Sequence, residues 1–166
     1  KIHLFDIQLA GQKPIRESDV FRHGAGPGIF SIDNWKIAQS ICYDLRFAEL
    51  YSQYAREQVD VILVPAAFLT KTGEAHWEVL LRARAIESQC YVVASAPVGH
   101  HRSVRGAGSR ETYGHSLVVE PWGAIVMELG EAAKRTSVCS LSKAKIEAGR
   151  ARIPMGPHRR VSFKKG

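Results

Sequence analysis

Apolar positions along the chain change their period several times, and each change predicts an element. Ile2, Leu4, Phe5 and Ile7 predict a strand or strand end, and residues 8 to 28, rich in Gly, Pro and polar side chains, predict a long loop. Gly28 to Asp33 and Trp35 to Ile41 predict a hairpin turning at Asp33-Asn34. Phe47, Leu50, Tyr51, Tyr54 and Ala55 then fall on one face of a helix. Val61-Ile62-Leu63-Val64 and Tyr91-Val92-Val93-Ala94 are short apolar runs of the kind buried on both faces of a sheet. Between them, Trp77, Leu80, Leu81 and Ala85 mark one face of a second helix over Ala75 to Ser88. Gly99 to Thr112, rich in Gly, Arg and Ser, predicts a loop. Ser116 to Glu120, Ala124 to Leu129 and Thr136 to Leu141 predict three more strands, with a turn at Pro121-Trp122-Gly123. Ser142 predicts the cap of a last short helix running through Arg150.

Strand–helix alternation followed by a run of strands describes an α/β layered fold. Three helices at most are thin cover for a sheet buried on both faces. The 166 residues fit one domain or a large piece of one, and 45% hydrophobic with 23% charged residues is globular composition.

The net charge of +7 concentrates in a stretch from Arg102 to Arg110 and an end from His158 to Lys165. Neither interleaves aromatic side chains that would stack bases, so both are expected to be solvated and no nucleic-acid partner is expected. No apolar run approaches the ~20 residues that span a bilayer, so no membrane partner is expected. No charged start followed by an apolar stretch and a cleavage site appears, and Cys42, Cys90 and Cys139 are odd in number and widely spaced. Free thiols and a cytoplasmic location are the expectation.

Ser40-Ile41-Cys42-Tyr43-Asp44-Leu45-Arg46-Phe47 places a cysteine between a strand and a helix. A junction of that kind exposes the side chain on a turn near a helix N-terminus, where unpaired N–H groups favour a thiolate. The following N–H, that of Tyr43, is placed to donate to an oxyanion. Cysteine is also among the most buried residue types, so a nucleophile and a core thiol both remain open for Cys42. Cys90 and Cys139 fall inside strand patterns and are expected to be structural. His76, at the predicted start of the second helix, and His115 are the candidate bases for a cysteine nucleophile. No metal-ligand spacing appears, and neither a metal nor an organic cofactor is expected.

Six segments together resemble the nitrilase superfamily of carbon–nitrogen hydrolases. They are Lys1 to Asp6, Glu17-Ser18-Asp19, Ile41 to Phe47, Pro65-Ala66-Ala67-Phe68, Gly73 to Glu87, and Tyr113-Gly114-His115-Ser116 with Pro121-Trp122-Gly123. The resemblance implies an α-β-β-α sandwich and a Glu–Lys–Cys triad. It makes Cys42 the nucleophile, Lys1 the lysine that stabilises the tetrahedral intermediate, and Glu17 the added glutamate that orients Lys1 and substrate. Tyr43 and Phe68 become pocket walls, Asp44 and Arg46 support the turn as an ion pair, and His76 and His115 return to structural roles. The family's general-base glutamate lies upstream of its lysine. The resemblance therefore describes a single hydrolase domain over 1–166 that lacks its N-terminal strands and helices.

Gly73 to Glu87 and the loop from Gly11 to Ser18 resemble the deaminated glutathione amidase and ω-amidase branch. This implies hydrolysis of a small ω-amide of a 2-oxo acid, or of a peptide-like relative, through a cysteine thioester. N-carbamoyl amide hydrolysis is the runner-up, and a non-catalytic interaction module is the alternative if the general base is absent. The family pattern also implies a homo-oligomer, with the segment from Ile153 to Arg160 reaching toward a partner.

Overall fold

The computed structural model describes residues 1–8, 14–102, 109–131 and 135–161. Its centre is a six-stranded mixed sheet, in spatial order β10 (Ile125–Glu128), β9 (Leu117–Val119), β6 (Tyr91–Ser95), β5 (Val61–Pro65), β4 (Trp35–Gln39) and β3 (Gly28–Ile32). Strands β3 (Gly28–Ile32) and β4 (Trp35–Gln39) form the expected hairpin. Strands β4, β5 (Val61–Pro65) and β6 (Tyr91–Ser95) are parallel, joined by α1 (Ala48–Arg56) and α2 (Thr70–Ser88). Antiparallel β9 (Leu117–Val119) and β10 (Ile125–Glu128) close one edge. Two small ladders stand apart: β1 (Asp6–Ile7) with β2 (Ile15–Arg16), and β7 (Val98–Arg102) with β8 (Ser109–Tyr113).

Alternation along the strands divides the apolar residues between two faces. Ala38, Ile62, Val64, Val92, Ala94, Leu117 and Val119 join Leu50, Tyr51, Tyr54, Trp77 and Leu81 of α1 and α2 in the main core. Val61, Tyr91 and Val118 point the other way, onto Ile146 of α3 (Lys143–Arg152). Ile37, Leu63 and Val93 on this second face are only partly buried, so the thin cover expected from the sequence is a feature of the described fold.

Four expectations are corrected. Of Ile2 to Ile7, only Asp6–Ile7 pairs as a strand, because the N–H groups of Ile2, His3 and Phe5 donate to side-chain carboxylates instead. The expected loop from Gly99 to Thr112 contributes most of the β7–β8 hairpin, while residues 103–108 of the basic stretch lie outside the described residues. Thr136 to Leu141 forms no ladder; Cys139 and Leu141 pack, partly buried, against the cluster on the second face, while Val138 is 93% exposed. Ser142 precedes α3 without a side-chain cap, and its N–H donates to the Tyr91 hydroxyl at 3.2 Å. Residues 11–13 of the branch-like loop and 162–165 of the basic end also lie outside the described residues. The segment after α3 folds back on the end of α2, with Arg159 Nη2 donating to the Glu87 carbonyl and Gln89 Nε2 to the Ile153 carbonyl.

Candidate active site

Strand β4 ends at Gln39, and two hydrogen bonds anchor its end to α1. Tyr54 Oη of α1 donates to the Gln39 carbonyl, and Tyr51 Oη lies 2.5 Å from Ser40 Oγ. Both tyrosines are fully buried, and burial holds their hydroxyls in the protonated, donor-capable form. It raises Tyr51 well above the usual phenol range and pushes Tyr54 up to about 12.

Beyond this anchor the chain turns at Cys42, whose φ of +51° lies in the left-handed region. A β-carbon makes that conformation costly by roughly 1–2 kcal/mol, and non-glycine residues there cluster at functional turns. The turn is followed by a 3₁₀ segment, Cys42–Arg46, not by an α-helix; α1 begins at Ala48. The helix-terminus argument for a thiolate therefore does not apply, and the strained turn takes its place in presenting the side chain.

Asp44 holds this turn from inside. Its carboxylate is 1% exposed and accepts from the N–H groups of Ile41 (3.0 Å), Ile2 (3.2 Å) and His3 (2.7 Å), and lies 2.9 Å from His3 Nδ1. The expected Asp44–Arg46 ion pair is thus replaced. Arg46 instead reaches the face of Phe68, 5.1 Å from the ring centre, and its Nη1 lies 3.2 Å from His76 Nδ1. An aromatic series extends the same junction: His3 stacks on Phe47 at 3.6 Å, Phe47 meets Tyr43 edge-on at 5.2 Å, and Tyr43 meets Phe5 at 5.0 Å.

These contacts bring the first strand alongside the turn. Lys1 Nζ forms an ion pair with Glu17 Oε2, and the same oxygen accepts from the Phe5 N–H at 2.6 Å. Lys1, Glu17, Cys42, Tyr43 and Phe68 all line one cavity of about 580 Å³, so all five residues expected at the site are brought together. Sequence reasoning missed further lining residues, among them Arg16, Phe21, Thr72 and Arg110. No local signal marks them, because each reaches the cavity through the fold.

The cavity is strongly cationic. Among the described lining residues, Lys1, Arg16, Arg46 and Arg110 face one carboxylate, Glu17, which Lys1 already engages. His76 lines the rim from the second turn of α2, since that helix begins at Thr70. His115 lies away from the lining, with its carbonyl accepting from Trp77 Nε1 at 2.7 Å. Cys90 is fully buried, and burial raises its thiol far above the usual range, which makes it inert. Among the described residues, no group of three or more His, Cys, Asp or Glu side chains is placed to hold a metal ion, and no helix is long and apolar enough to cross a membrane.

A cysteine on a strained turn and an ammonium paired with a carboxylate thus share one walled cavity. The carbon-nitrogen hydrolase profile matches residues 1–151, and the chain belongs to that family. It is 38% identical over 163 residues to the deaminated glutathione amidase of Dictyostelium discoideum, covering 98% of this chain and 54% of that one. Among solved structures, the NitFhit protein of C. elegans superposes with a TM-score of 0.84 at 39% identity, over 96% of this chain and 38% of that one. Saccharomyces cerevisiae Nit3, a member of the nitrilase superfamily, superposes with a TM-score of 0.77 at 34% identity, over 97% and 54%. The α/β fold is thus of the nitrilase type, and the chain spans about half the length of the curated relatives it matches.

Proposed function

We propose that the natural protein hydrolyses the amide bond of a small, carboxylate-bearing ω-amide through a thioester on Cys42, releasing ammonia or an amine. The observation that carries this reading is the Lys1–Glu17 ion pair in the cavity that Cys42 lines. Similarity to deaminated glutathione amidase supports the choice of an amide over a nitrile, and the excess of arginine in the cavity supports an anionic substrate.

In the proposed reaction Cys42 Sγ loses its proton to a general base and attacks the amide carbon. The oxyanion is met by the Lys1 ammonium and the Tyr43 N–H. Glu17 aims the Lys1 side chain through their ion pair, while Tyr43 and Phe68 wall the acyl chain. The C–N bond breaks as the protonated base returns its proton to the leaving nitrogen. Water then gives a proton to the same base and its oxygen to the thioester carbon. The C–S bond breaks as the base returns that proton to Sγ, which restores the thiol. Glu17 is committed to Lys1 and the Phe5 N–H, so the base is not assigned to Glu17; the family resemblance gives that role to a different glutamate. A homo-oligomer is proposed with it, on family resemblance.

Cys42→Ala in the full-length protein should lower ammonia release from an ω-amide such as succinamate by more than about 10³-fold, with the melting transition retained. Turnover surviving that change would remove Cys42 from the role.

A further inference from the structure

Asp44 is the most heavily hydrogen-bonded side chain beside the cavity, yet it does not line it. Its donors come from two places far apart in sequence. Ile41 belongs to the Cys42 turn, whereas Ile2 and His3 directly follow Lys1. One buried carboxylate therefore ties the backbone that carries the ammonium to the backbone that carries the thiol. Among the described residues no other side chain does this by hydrogen bonding: Glu17 holds Lys1 and Phe5 to the 3₁₀ turn at Glu17–Asp19, not to Cys42. The stack of His3 on Phe47 runs beside the same tie and keeps the imidazole aligned with the carboxylate.

Resting on the proposed amidase reading, we propose that Asp44 is a positioning residue that sets the distance between the Lys1 ammonium and Cys42, acting through the Ile2 and His3 backbone. A side-chain amide cannot replace it. Asparagine offers one acceptor oxygen to donors that now share two, and turns its NH₂ toward N–H groups. Its substitution should let the Lys1–His3 segment drift, and a displacement of about an ångström in a catalytic group is enough to cost of order 10²-fold in rate.

The test is the pH profile of Cys42 alkylation by iodoacetamide in the full-length protein, followed by peptide mass mapping so that Cys90 and Cys139 are counted separately. The charged or titratable groups around Cys42 are Lys1, Arg16, Glu17, Tyr43, Asp44, Arg46, His76 and Arg110. Loss of a nearby ammonium moves a thiol's profile to higher pH, whereas loss of a nearby carboxylate charge moves it to lower pH. A purely structural role leaves the folded protein's profile where it was.

Asp44→Asn should move the profile upward, slowing alkylation at pH 7 by about tenfold. The same substitution made in Lys1→Gln should produce no upward shift. An unmoved or downward profile, or an equal upward shift in both backgrounds, overturns the proposal. If Asp44→Asn does not fold, His3→Ala removes one ligand of the carboxylate and should give a smaller upward shift; an unmoved profile there overturns it equally. Alkylation needs no amide turnover, so loss of the substrate reading alone leaves these outcomes standing. A parent protein whose Cys42 does not react would overturn both.

Discussion

The segment from Ser40 to Phe47 and the β7–β8 hairpin both contribute to the Cys42 cavity, and they differ in how they are held. In the first, Ser40, Asp44 and Leu45 are buried, the Leu45 carbonyl accepts from both Nε and Nη2 of buried Arg84, and strain is concentrated at Cys42. The second is fixed at its base. There Thr112 is buried, its hydroxyl donates to the Pro97 carbonyl, and the Tyr113 N–H donates to the Phe68 carbonyl. Beyond the base it carries exposed Ser109, Arg110 and Glu111, and Arg110 reaches the cavity. Reacting groups held to within a fraction of an ångström need the first construction, while recognition of a charged group by a long side chain tolerates the second.

Trp77→Ala should have the largest effect, because it removes support shared by both segments. The indole is buried, packs on Phe68 at 5.0 Å and donates to the His115 carbonyl. A loss of about 3–5 kcal/mol in a chemical denaturation curve is expected. Gly73→Ala separates the segments instead. A β-carbon there would lie 2.3–2.6 Å from the Tyr113 side chain, so the base of the hairpin must move off α2. The expected cost is about 1–3 kcal/mol, with KM for the ω-amide rising more than kcat falls.

Alkaline pH should loosen the first segment in a defined window. Tyr51 and Tyr54 are raised by burial above the ordinary phenol value of 10.0, Tyr54 to about 12. Their contribution is fully present below pH 10 and is lost as pH rises through the folded values, because the unfolded chain deprotonates first. Stability measured from pH 8 to 12 should fall above pH 10, and Tyr51→Phe with Tyr54→Phe should flatten that fall. Arg110→Ala should have the smallest effect on stability, within about 0.5 kcal/mol, since the side chain is exposed. It should nevertheless raise KM for a carboxylate-bearing amide by about tenfold with kcat within twofold. A kcat loss larger than the KM change would mean that the hairpin takes part in positioning the reacting groups.

The main sheet was legible because its strands carry their own signal. Val61 to Val64 and Tyr91 to Ala94 are covered on both faces, and the face of Leu50, Tyr51 and Tyr54 reads directly as a helix. Five cavity residues were legible through motif resemblance. What escaped lies where long-range hydrogen bonding overrides local pattern. The Lys1 segment looks like a strand but spends its N–H groups on Asp44 and Glu17, and the positive φ at Cys42 has no signature in a non-glycine residue. Arg110 read as solvated charge and Arg16 as part of a loop, because only the folded chain brings them to one cavity.

The most direct test of the central claim is a rapid-quench experiment on the full-length protein with excess ω-amide, followed by peptide mass mapping. The account predicts a transient adduct on the peptide containing Cys42, with the mass of the substrate less ammonia, released by hydroxylamine and absent from Cys42→Ala. Ammonia release with no adduct on that peptide at any quench time, or with the adduct on another residue, would contradict it.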